Sequence, residues 1–200
     1  MLELLTGTGL AAAAGLNAYI PLLAMGIAGR VEWIQLPQGW VWLENEWVMV
    51  ILGVLLLIEL VADKIPAVDT VNDVVQTLVR PASGGIVFSG GLGTSTLAVE
   101  DPSSLFTSGA WISVLAGIGL ALVVSLAKSA LRPAANVVTA GLAAPALSTA
   151  EDGASLALVV LAFVAPIFVV VALVLLALWF LTFFQRMRRR KRADESQLAT

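Results

Sequence analysis

The apolar positions of this chain fall into long, nearly unbroken runs rather than into the half-apolar periods of surface helices. Such runs cover residues 4–28, 47–62, 71–98, 110–127 and 134–150, and a last one extends from just after Asp152 to Phe184. A helix needs roughly 20 apolar residues to cross a bilayer, so the pattern predicts an all-α membrane protein with about six transmembrane helices. The first, Leu4–Ala28, holds Asn17, Tyr19 and Pro21 in its interior and reads as a kinked packing helix, with a substrate-lining helix as the alternative. The third is kinked at Pro81 and continues through Ser83, Gly84 and Gly85, small residues that let helices approach closely. The fifth is short, rich in Ala, Gly, Ser and Thr, and contains Pro145. The last run exceeds the bilayer thickness and requires tilt, a kink at Pro166 or a protruding end. Residues 1–185 therefore read as one polytopic membrane domain and 186–200 as a basic, disordered tail.

Composition strengthens the membrane assignment. Apolar residues make up 59% of the chain and charged ones 12%, against about a quarter charged in soluble domains. The expected setting is the cell membrane, multi-pass, with the lipid bilayer as the main partner. The absence of cysteine and histidine removes disulfides, thiol and imidazole chemistry and the usual zinc or haem ligands. No cofactor or metal is expected. Trp33, Trp40, Trp42 and Trp47 crowd the loop after the first run and place it at the headgroup level.

The signs of the charges are segregated. Arg186, Arg188, Arg189, Arg190, Lys191 and Arg192 follow the last run, which marks that end as cytoplasmic and as a lipid-headgroup contact rather than a nucleic-acid site. With six spans, Lys64, Lys128 and Arg132 also fall inside. Arg30, Glu32, Glu44, Glu46, Glu100, Asp101, Glu151 and Asp152 are left outside, and both termini are cytoplasmic.

Residues 47–83 can be laid on 111–147 without gaps, so that Trp47 meets Trp111, Lys64 meets Lys128, Asn72 meets Asn136 and Pro81 meets Pro145. This suggests an internal repeat of helical hairpins with interfacial Trp, inner Lys, Asn at a helix start and a Pro-broken helix. Pro-interrupted segments at matching places in two repeats point to a transporter's binding site. Full spans make the repeats parallel; a competing layout makes the third and fifth segments re-entrant and the repeats inverted.

The ionisable groups that interrupt the apolar pattern lie between Glu59 and Arg80. Glu59 and Asp63 share one helical face, and Asn72, Asp73, Gln76, Thr77 and Arg80 form a polar stripe at three-to-four-residue spacing. Ionisable residues inside a membrane are functional candidates by default. The spacing predicts that Glu59 and Arg80 meet across the second and third helices, with Asp73 nearer the surface. A pair that only glues helices is the bland alternative. Together with Asn17 and Asn136, these residues are the candidates for an ion or substrate path.

The run ELVADKIPAVDTVNDVVQTLVRP, with GLAAAAGLNAYIPLLAMG near the start, resembles the bacterial membrane family catalogued as domain of unknown function 4126, over about Gly9 to Phe180. That resemblance implies an uncharacterised multi-span protein and carries no activity with it. The residues themselves favour a small transporter or channel-like protein for a proton, cation or small metabolite, with room for a homo-oligomer. A non-transporting scaffold that organises lipids or a partner is the alternative. An enzyme ranks third, because no nucleophile, metal cage or phosphate loop accompanies the carboxylates.

Overall fold

The computed structural model describes residues 1–92, 111–139 and 144–198, and every regular element among them is helical. In chain order these are α1 (Leu2–Leu16), α2 (Tyr19–Arg30), a short 3-10 helix (Gln38–Glu44), α3 (Glu46–Ala62), α4 (Pro66–Leu92), α5 (Trp111–Thr139), α6 (Ala144–Val164) and α7 (Ile167–Leu198). By length and apolar composition, Trp111–Ala130 and Pro145–Val164 are long enough to cross a membrane. The 3-10 helix and α3 add a third span if this pair, bent by 67°, counts as one.

α1 is the centre of the bundle. Its residues from Gly9 to Leu16 are all buried, as expected of a helix that is apolar on every side. Most of them are Ala or Gly, so α4, α5, α6 and α7 pack closely around it. Gly84 of α4 meets Gly117 and Ala121 of α5 backbone to backbone: a Cβ on Gly84 would stand 2.8 Å from Gly117 O.

The expected first span is two helices folded into a hairpin. Asn17 leaves α1 in an extended conformation, with φ −141° and ψ 122°. Its Oδ1 accepts from the backbone N–H groups of Tyr19 and Ile20 at 3.0 and 3.2 Å, capping α2. Both arms then meet one turn of α4: a Cβ on Gly91 would fall 3.0 Å from Gly7 Cα, and one on Gly90 would fall 2.8 Å from Met25 Sδ. The break between the arms lies further along α4, where the Ser83 hydroxyl donates to Ala18 O at 2.7 Å. The chain therefore enters and leaves on the same side, and its tip is buried.

The second half of the chain also departs from the expected spans. α5 continues past Lys128, where a loop was expected, and the fifth run is divided between the end of α5 and α6. α6 runs antiparallel to α1, fixed by Thr6 Oγ1 donating to Ala162 O (2.9 Å), Ser155 Oγ to Ala13 O (3.0 Å) and Asn17 Nδ2 to Asp152 Oδ1 (3.0 Å). Ala162 and Val169 both touch Gly9, so α6 and α7 reverse at Ala165–Pro166. The long last run is thus one arm of α6 and one of α7. α7 continues through the basic segment to Leu198, where a disordered tail was expected.

The proposed repeat does not match these boundaries. Pro81 is inside α4 while Pro145 is the second residue of α6. Lys64 is in an exposed turn after α3, whereas Lys128 is buried within α5.

Candidate functional site

The end of α1 leaves backbone carbonyls without helical partners, and in an apolar interior each needs a donor. Lys128 Nζ of α5 supplies one to Leu16 O at 2.8 Å; Ser155 of α6 adds a bond to Ala13 O, which also accepts from the Asn17 N–H, and Ser83 of α4 donates to Ala18 O just past the break. The hairpin tip is therefore built by α4, α5 and α6 together.

Two buried cations stand at this tip. Lys128 lies 3.0 Å from Glu151 Oε2 and 3.8 Å from Asp63 Oδ2. Arg80 places Nη2 at 3.3 Å from Glu59 Oε1 and Nη1 at 3.3 Å from Asp73 Oδ1. Glu59, Asp63, Gln76, Arg80, Lys128 and Glu151 are all buried, and the Asp73 side chain is 21% exposed. Asn72 Nδ2 donates to Asp63 Oδ1 at 2.8 Å, which ties the start of α4 to the end of α3. Gln76 lies one turn before Arg80 on the same face of α4 and is buried.

The sequence candidates Asn17, Glu59, Asp63, Asp73, Gln76 and Arg80 thus come together, and the expected Glu59–Arg80 pair is formed. Others separate. Lys64 is exposed and bonds Leu60 O of α3, while Trp47 and Trp111 are on the surface. Asn136 and Arg132 fall in α5, but their side chains are outside the described residues, as is the expected acidic loop at Glu100 and Asp101. The assignment of Lys128 to one side of the membrane and of Glu151 and Asp152 to the other is overturned by the contact of Lys128 with Glu151. Lys128, Glu151, Asp152, Ser83 and Ser155 were missed as site residues. Only Lys128 carried a signal, as a lone charge in an apolar run.

This arrangement concentrates carboxylates, two cations and a helix break in one buried place. Among the described residues, no group of three or more acids is arranged to hold a metal ion. At the other end of α1, a cleft of about 310 Å³ opens between Thr6, Trp33, Gln35, Gly91 and Phe163, with the Trp33 and Phe163 rings 6.0 Å apart.

No curated protein matches the chain, and no solved structure does. The family model described as Domain of unknown function (DUF4126) matches residues 4–186, and the chain belongs to that family.

Proposed function

We propose that this protein is a small membrane transporter or channel-like protein for a proton, small cation or small metabolite, with the ionic lattice at the α1–α2 tip as its path. The observation that carries the reading is the buried break at Asn17–Ala18 set against Arg80, Glu59, Asp63 and Lys128. Interrupted helices whose free backbone groups face charged side chains at mid-depth are the usual construction of transporter sites. The large apolar side chains exposed along α3, among them Val50, Val54, Leu57 and Val61, suit a lipid-facing surface.

In this reading α3 to α7 cross the membrane and α1–α2 dips in and returns. Lys64 and the Arg-rich end of α7 lie on the cytoplasmic side. The amino terminus then faces the opposite side, in place of the cytoplasmic location expected from six spans. The test is flux into vesicles of reconstituted protein against empty vesicles, across a panel of monovalent cations, protons and small metabolites. Flux of at least one species above the empty control is expected. If none moves through folded, inserted protein, the transporter reading fails and the scaffold reading takes its place.

A further inference from the structure

The α4 face at the lattice holds buried polar atoms that the described residues do not satisfy. Arg80 Nε, Gln76 Oε1 and, from α3, Glu59 Oε2 have no hydrogen-bond partner among the described residues. All three side chains are at most 1% exposed. They belong to one corner, since Arg80 pairs with Glu59 and Gln76 precedes Arg80 by one turn on the same face of α4. Two of the orphan atoms are acceptors, and two acceptors cannot satisfy each other. In a buried site each unmet group is costly.

A proton on Glu59 Oε2 eases the conflict, because it turns one of the two unmet acceptors into a donor. Arg80 stays compensated when Glu59 is neutral, because Asp73 stands at the same 3.3 Å on its other side. We propose that Glu59 is a proton-binding site, with Gln76 Oε1 accepting the bound proton and Arg80 passing its ion pair to Asp73 when the proton arrives.

The exchange balances. A proton from water on the partly exposed Asp73 side joins the Glu59 carboxylate to give the carboxylic acid, and release reverses the step. The other charged or titratable groups facing this corner are Tyr19 of α2, Asp63 of α3, and Lys128 of α5 with its partners Glu151 and Asp152 of α6; α1 contributes the neutral Asn17 amide. The proposal rests on the transporter reading only in making the proton the species that is moved.

Infrared difference spectroscopy of the reconstituted protein tests it, in H₂O and D₂O, above the pH range in which exposed carboxylates titrate. A deuterium-sensitive carboxylic-acid carbonyl band is expected, lost in Glu59→Gln, weakened in Asp73→Asn, where Arg80 has no second carboxylate to turn to, and shifted in Gln76→Leu. Glu59→Gln retains a donor for Gln76 Oε1 and leaves Arg80 its pair with Asp73, so it is expected to fold. If it does not, the shift in Gln76→Leu decides, and an unshifted band overturns the proposal. A band that survives Glu59→Gln, or no band at any pH where the protein is folded, also overturns it. In vesicles loaded with a pH-sensitive dye, Glu59→Gln is expected to lower proton flux by about tenfold or more. Flux of another species that persists in Glu59→Gln, with no acid band, sinks the proton site and leaves the transporter reading standing. A band without flux of any species does the reverse.

Discussion

Lys128 and Arg80 are both buried cations at the tip of the same hairpin, yet their surroundings differ. Lys128 has three N–H donors and three partners on three helices: Leu16 O of α1, Glu151 of α6 and, at ion-pair distance, Asp63 at the end of α3. Arg80 has five donors, two ion pairs of equal length and an Nε without a hydrogen-bond partner among the described residues. A saturated buried charge holds elements in place. One that sits between two equivalent carboxylates has somewhere to move. Under the proposed function, the Lys128 corner holds the tip together and the Arg80 corner does its work.

The comparison is open to breaking by substitution. The largest effect is expected for Lys128→Met, which leaves Glu151 and Leu16 O without this donor; losses of about 3–5 kcal/mol accompany removal of one partner from a buried pair. Denaturant or thermal unfolding in detergent measures it, and Arg80→Gln is expected to cost less. An equal or larger loss for Arg80→Gln would erase the distinction between the corners. Next comes Gly84→Val, which forces α4 away from Gly117 and Ala121 and is expected to cost about 1–3 kcal/mol by overpacking. The same unfolding assay reads it.

Ser83→Ala removes the donor to Ala18 O at the hairpin break and is expected to cost about 1 kcal/mol. A change indistinguishable from zero would mean that the break does not depend on that bond. The smallest stability change, within about 1 kcal/mol, is expected for Asp73→Asn, because Glu59 still faces Arg80. Vesicle flux in that variant should nevertheless fall, since Arg80 loses its second carboxylate. Unchanged flux would show that Arg80 does not switch.

Local features of the site were legible in the sequence and long-range ones were not. The stripe of Asp73, Gln76 and Arg80 and its pairing with Glu59 follow from helical spacing and from the cost of lone charges in apolar runs. Lys128 resisted that logic because its partners, Glu151 and Leu16, are remote in the chain, and its match with Lys64 suggested an anchor. Glu151 and Asp152, two adjacent acids between apolar runs, look like a loop; only the packing of α6 on α1 shows that they lie inside a helix. The reversals at Asn17–Ala18 and Ala165–Pro166 each take two residues within a continuous apolar run. In a bilayer-like interior, side chains from neighbouring helices satisfy such breaks, so no stretch of polar loop marks them.

The first apolar run folds as a hairpin with a buried tip. The chain has no cysteine, so single cysteines at Leu2, Val31 and Lys64 can be labelled cleanly in sealed, oriented vesicles with a membrane-impermeant thiol reagent. Leu2→Cys and Val31→Cys are expected to label from one side and Lys64→Cys from the other. Labelling of Leu2→Cys and Val31→Cys from opposite sides would show that the run crosses the membrane, and would contradict the account.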